Sequence, residues 1–283
     1  MKYMNRPDWE HNDIVLVVHF NSPLYEYLLL LATYRDIFPL VVFTGPKSHP
    51  DVIHCPEGSW GQQSHQCLSR AILLYPNHNG YLFCHFDLLP IFYNLEINNL
   101  QAIWIPTITH VKPENANSSW WIQSVGKNAL NKTFSELKAN SKNNTLYARY
   151  MYTYQNHSNK KLSISYSDIF YLPHRFVDDW LLLTTVFTRH KVYHDFAFAT
   201  ITQMIVPGEL SKNVVSLLGI SWVGYGPAKR LALNPSLTYM HRIDLRLASE
   251  KYIIKVVVQR SQLPNEDLFS LQQRSCNESA KVC

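Results

Sequence analysis

The 283-residue chain is 46% hydrophobic and 17% charged, the balance of a protein that buries a core and the reverse of a disordered segment. Its net charge of +5 suits an anionic ligand, but the lysines and arginines are scattered without a run of five, which argues against bulk nucleic-acid binding and leaves a diphosphate as a fitting partner. No stretch reaches the roughly 18 apolar residues that a membrane span requires, and the polar segment 1–12 lacks the apolar centre of a signal peptide.

The predicted elements begin with a near-continuous apolar strand, Asp13–Phe20, of the kind covered on both faces in a parallel sheet. Ser22 as cap and Pro23 at the first helical position then open a helix to about Phe38, which Pro39 ends. A second strand covers Leu40–Thr44 and a short third one Val52–Cys55. Leu68, Ala71, Ile72 and Tyr75 recur at helical spacing in a helix from about Ser64, and Gly80–Phe86 forms a fourth strand. Between 110 and 161 the composition turns to Asn, Ser and Lys, with one helix over about 118–139. Apolar order resumes with a strand at Ile164–Leu172 and a helix whose stripe is Phe176, Trp180, Leu183 and Phe187. A helix over Asp195–Met204, a loop at Gly224–Pro227 and a late strand at Tyr252–Val258 complete the order. This alternation predicts an α/β fold with a mostly parallel central sheet and helices on both faces, Rossmann-like, with its ligand beyond the carboxyl ends of the strands. One domain covers 13–260 with a polar insertion at about 110–161, between a short N-terminal segment, 1–12, and a tail, 261–283.

Five N-glycosylation acceptor sites occur, at Asn117, Asn131, Asn143, Asn156 and Asn277, four of them clustered in the polar segment. Cys55 and Cys67 flank a short loop and are close enough to pair, Cys276 and Cys283 offer a second pairing in the tail, and Cys84 sits in an apolar run as a buried thiol. No CxxC occurs, so structural zinc is disfavoured. These features point to the lumen of the endoplasmic reticulum or Golgi, or to secretion, for a chain whose anchor or signal is absent from this sequence; they point to the cytoplasm if the acceptor sites are incidental.

GxGxxG, P-loop, GxSxG and HExxH patterns are all absent, which demotes simple dehydrogenases, P-loop kinases, elbow hydrolases and zincins. Without a glycine cradle, a nucleotide diphosphate needs another source of positive charge, and a divalent cation held by carboxylates supplies it. The fourth strand runs Gly80-Tyr81-Leu82-Phe83-Cys84-His85-Phe86-Asp87 and so ends in an acid. Together with Cys55-Pro56-Glu57-Gly58, Tyr75-Pro76 and Phe92-Tyr93-Asn94-Leu95, this string resembles a divergent eukaryotic branch of the GT-A glycosyltransferases, over most of residues 13–260.

That resemblance implies a DxD-like site binding Mn²⁺ or Mg²⁺ and, through it, a UDP-linked nucleotide-sugar donor, with a glycan or glycoprotein as acceptor. Only Asp87 of the acidic pair is present, with His85 and Phe86 where a first carboxylate would fall. His85 and Asp87, two apart on an extended strand, are expected to share a face, and a histidine can ligate Mn²⁺. The resemblance also implies a late metal ligand, His241, with Arg242 beside it to meet phosphate oxygens, although Asp244 and Arg246 stand where relatives would carry a lysine. Asp195, at a helix start whose dipole favours an anion, matches the family's catalytic base, with Asp168 as second choice. Trp104, Trp120 and Trp121 are candidate sugar platforms. The missing carboxylate keeps open a second reading, a catalytically inactive member of the fold that acts as partner or scaffold, and the absent anchor keeps open an unrelated cytosolic α/β protein.

Overall fold

The computed structural model describes residues 12–95, 99–112, 126–159, 161–220 and 236–262. The segment 1–11, the acceptor sites at Asn117 and Asn277, Trp120, Trp121, the Gly224–Pro227 loop and the Cys276 and Cys283 pair lie outside those residues.

The strands are β1 (Ile14–His19), β2 (Leu40–Gly45), β3 (Val52–His54), β4 (Gly80–His85), β5 (Leu88–Pro90), β6 (Ile103–Pro106), β7 (Thr109–Val111), β8 (Leu162–Ile164), β9 (Ile169–Pro173), β10 (Val214–Leu217), β11 (Gly219–Ile220) and β12 (Tyr239–His241). The longer helices are α1 (Ser64–Leu74), α2 (Lys127–Asn140), α3 (Thr145–Ser158), α4 (Val177–Arg189), α5 (His194–Ile205) and α6 (Ala248–Gln262). Seven strands form the main sheet in the order β10-β6-β9-β4-β1-β2-β3. The sheet is mixed: β9 runs antiparallel to both its neighbours, β4 and β6, whereas the other pairings are parallel. A small sheet, β11-β12-β5, stands beside it, and β7 pairs with β8.

Alternation along β1 sorts its side chains between two cores. Val15 and Val17 enter the one under α1, α4 and α5, while Ile14, Leu16 and Val18 enter the other, under the helical segment 25–36 and α6. Each fully buried aliphatic contributes roughly 1.5–3 kcal/mol relative to exposure, so a slip of one residue in β1 would exchange two complete sets of contacts. The stripe Phe176, Trp180, Leu183 and Phe187 is buried as expected. The polar segment supplies two packed helices instead of one: Leu130 and Leu137 of α2 and Tyr150 and Tyr154 of α3 extend the first core. The second helix carried a readable start signal, Asn144, whose side chain accepts from the Leu146 N–H at 2.9 Å.

Other elements depart from expectation for physical reasons. The helix expected over 23–38 is a short α-turn, Leu28–Leu31, between 3-10 turns, Tyr25–Tyr27 and Ala32–Asp36. Its buried residues Leu28, Leu31 and Tyr34 recur every third position, the period of a 3-10 helix, and Ser22 caps nothing. The run Tyr252–Val258 is helical: Ile253, Ile254, Val257 and Val258 are buried in pairs four apart while Tyr252 is exposed, so burial on one helix face outweighs the strand preference of a β-branched run. Residues 164–172 divide into β8 and β9, which leaves Asp168 just ahead of β9. Because β9 runs antiparallel, its start lies at the edge of the sheet where β1 and β4 end. A disulfide joins Cys55 and Cys67, with Cα atoms 5.6 Å apart, and Cys84 is a buried thiol that burial makes still harder to ionise. Among the described residues no helix is long and apolar enough to cross a membrane.

Candidate metal centre

From β1 the chain builds outward through β2 to β3 and then returns to place β4 on the other side of β1. Ligands of doubly wound sheets lie at such a reversal, outside the carboxyl ends of the strands. Here β1 ends in His19 and β4 in His85, register partners across the reversal. The turn after β4 presents Asp87, β12 brings His241 and Arg242, the residue before β9 is Asp168, and α5 opens with His194 and Asp195.

Asp168 is the hub. Its Oδ1 lies 3.1 Å from His85 Nδ1 and its Oδ2 3.1 Å from His241 Nδ1, with His194 Nε2 4.0 Å from Oδ1. An ionised carboxylate accepts only, so both imidazoles turn Nδ1–H toward it and keep Nε2 for another partner. His241 Nε2 faces Asp87 Oδ1 at 3.6 Å, and His85 Nε2 lies 3.4 Å from Ser64 Oγ. A carboxylate behind the ring is the arrangement that orients metal-ligating histidines. The ligand atoms of His85, Asp87 and His241 lie within 4.8 Å of one another, as do those of His85, Asp168 and His194.

Burial and pairing set the charges. Burial opposes ionisation of Asp168, but His241 and His85 outweigh it and hold the carboxyl well below the usual carboxylate range. Asp87 is likewise lowered, burial being overcome by the hydrogen bond and charge of His241 and by His85. Burial alone would lower His241, yet the charges and hydrogen bonds of Asp168 and Asp87 raise it to about 10. His194 is raised against its burial mainly by Asp195, whose Oδ1 is 3.1 Å from Nε2. The Ser167 N–H also donates to Asp195 Oδ1, at 3.2 Å. His19 differs: burial, then His85, lowers it to about 3, and its ring is neutral, Nε2–H donating to the Gly58 carbonyl at 3.1 Å while Nδ1 lies 2.9 Å from the Thr44 hydroxyl.

The loop closed by the Cys55–Cys67 disulfide lies against these imidazoles. A Cβ on Gly58 would come 2.4 Å from His19 Cε1. Gly61, left-handed at φ 75°, passes so close that a Cβ would stand 3.1 Å from His194 and 3.2 Å from His85. Two clefts open beside the cluster. The larger, about 520 Å³, is bounded by Asn21, Tyr27, Trp60, Asp87, Arg242 and Arg246. The smaller, about 240 Å³, is bounded by Trp60, Tyr166, Asp168, His194, Asp195 and His241.

All six residues nominated from sequence, His85, Asp87, Asp168, Asp195, His241 and Arg242, therefore meet at one strand-end site. Asp87 does not continue the strand: β4 stops at His85, and a turn through Phe86 brings Asp87 round to the same centre. Phe86 itself stacks on Phe20, ring centroids 5.1 Å apart, so of the two positions where a further carboxylate was expected, His85 holds an imidazole and Phe86 an apolar contact. Asp168, the second choice for the base, is buried among imidazoles, and Arg242, expected to meet phosphate oxygens, has its Nε donating to Asp87 Oδ2 at 3.0 Å. Trp104 is no sugar platform, being fully buried against Tyr171, 4.4 Å between rings. His19, His194 and Trp60 were not nominated; the legible signals were histidines ending two strands and a His–Asp pair opening an apolar helix. Neither a protein-family model nor a curated protein matches the sequence.

Proposed function

We propose that this protein moves a sugar from a nucleotide-diphosphate donor to a glycan or protein acceptor, with a divalent cation held by Asp87, His85 and His241. The observation that carries the reading is the convergence of acids and imidazoles, far apart in the chain, where the strand order reverses and beside a cleft of about 520 Å³. That volume is within the range of small-molecule and cofactor sites, about 300–1,000 Å³. The residues fit a cation: Asp87 Oδ1 is buried and faces His241 Nε2 at 3.6 Å, where a cation would replace the proton that His241 carries, and two imidazoles bear a carboxylate behind the ring. Two nitrogens and one oxygen suit Mn²⁺ or a similar transition ion better than Mg²⁺, which favours oxygen ligands.

When bound, the cation would offset the charge that builds on the departing diphosphate. The chain's own groups do the rest. Asp168 orients His85 and His241, and Arg242 carries further N–H donors into the larger cleft for phosphate oxygens. Asp195 lines the smaller cleft, and since both its contacts fall on Oδ1, Oδ2 is the oxygen suited to take the acceptor's proton. The acceptor oxygen bonds to the anomeric carbon as the bond from that carbon to the diphosphate oxygen breaks. The mixed α/β sheet with its reversal supports a GT-A-like fold. The same reading assigns the protein to the lumen of the secretory pathway or to the outside of the cell. The disulfide and the exposed acceptor asparagines Asn131, Asn143 and Asn156 support it, and glycosidase-sensitive mass on the expressed protein tests it.

The main test is thermal stability with UDP-sugars and Mn²⁺. We expect a donor- and metal-dependent rise of several degrees that Asp87→Ala abolishes. No rise with any donor, or an unchanged rise in Asp87→Ala, removes the reading. The contact of Arg242 with Asp87 favours one rival, a catalytically inactive partner of another transferase, because a cation of the chain itself already pairs with the key acid. That rival predicts no donor turnover at any Mn²⁺ concentration.

A further inference from the structure

The most exposed aromatic side chain at the site has no part in the chemistry above. Trp60 is 75% exposed, yet its backbone is left-handed at φ 57° and leads directly into left-handed Gly61. That conformation costs a non-glycine residue roughly 1–2 kcal/mol. It persists because the Trp60 N–H donates to the Asn21 carbonyl at 2.7 Å and the Cys55–Cys67 disulfide closes the loop around it. The chain thus holds the backbone that carries an exposed indole between the two clefts, bordering both.

The smaller cleft has the chemistry of a sugar site. Its walls include Trp60 and Tyr166, the latter 49% exposed, together with the carboxylate of Asp195 and the imidazole of His194. A pyranose ring has an apolar C–H face that packs on an aromatic ring and a rim of hydroxyls that need acceptors and donors. At about 240 Å³ the cleft is smaller than ordinary cofactor sites and has room for one ring. The larger cleft has the volume for the nucleotide, and its wall carries Arg242 and Arg246 beside the acids Glu26, Asp87 and Asp244, whose charge a bound cation would offset.

We propose that Trp60 and Tyr166 form an acceptor subsite that packs one pyranose ring beside Asp195, so that the disulfide-closed loop selects the acceptor. This rests on the transferase reading for its purpose but not for its detection. The intact chain is titrated, in EDTA, with methyl glycosides of glucose, galactose, mannose and N-acetylglucosamine, followed by saturation-transfer NMR. At least one glycoside is expected to bind. Trp60→Ala should weaken it at least tenfold, Trp60→Phe much less, and Tyr166→Ala several-fold. Because Trp60 is exposed, the variants should fold, and an unchanged melting temperature checks this. The proposal is overturned if no glycoside binds, if Trp60→Ala binds as the parent does, or if that variant loses affinity for UDP with Mn²⁺ by a larger factor than for the glycoside. Glycoside binding without any UDP-sugar effect upholds the subsite and removes the transferase reading; a UDP-sugar effect without glycoside binding does the reverse.

Discussion

Two segments remote in sequence enclose the candidate metal centre, and they are held by different forces. The 55–67 segment is closed covalently, and its glycines let the backbone press against His19, His85 and His194. The 239–246 segment is held by pairing of β12 with β5 and by its own charges, His241 to Asp168 and Asp87, and Arg242 to Asp87. One side of the site is therefore preorganised by chain connectivity, while the other depends on buried ion pairs whose members are also the proposed ligands. The two sides should fail under different treatments.

The largest effect is expected on the charged side. Asp168→Ala leaves two buried imidazoles without their shared carboxylate, and removing one member of a buried ionic group typically costs about 3–5 kcal/mol. Thermal unfolding should fall by about 10 °C, with loss of any Mn²⁺-induced stabilisation. A fall of less than about 3 °C would mean that the 239–246 segment is held by pairing alone.

On the covalent side, replacing Cys55 and Cys67 by serine, or reducing them, frees a loop of sequence separation 12 and should cost about 3 kcal/mol by chain entropy. Denaturant unfolding measures it. Glycoside binding at Trp60 should weaken more than Mn²⁺ binding does, since the loop carries the indole but none of the three proposed ligands. Equal losses would show that the two sides act as one unit.

The smallest effect near neutral pH, growing only on acidification, is a pH dependence that arises in the same segment. His65 lies between the two cysteines, and burial, then the charge of His194, lowers it to about 3. The unfolded chain takes up this proton near pH 6.5, so between about 6.5 and 3 the unfolded state binds more protons and stability falls as pH falls. The slope due to one such residue is about 1.4 kcal/mol per pH unit. His65→Gln should therefore flatten acid unfolding by about one proton and leave the alkaline side unchanged. An identical acid slope in the variant would show that His65 is already protonated in the folded protein.

Much of this could be read from the chain alone, and the failures have identifiable causes. β1, β2, β4 and α1 were legible because continuous apolar runs and helical spacing between Pro and Gly leave little choice. α6 was not, because a run of β-branched residues favours a strand until a core offers a helix face for Ile253, Ile254, Val257 and Val258 to bury. Asp87 and His85 stood out as polar residues ending an apolar strand, whereas Trp60 resembled any loop tryptophan, its exposure being invisible without coordinates.

Local pattern by itself determined the α/β alternation, the closeness of Cys55 to Cys67 and the residue types able to hold a cation, since each depends on neighbours within a dozen positions. Tertiary structure alone decided that residues between His19 and His241 share one centre, and which of them carry charge there. Ionisation in a buried cluster depends on distances of 3–4 Å between groups that no sequence spacing relates.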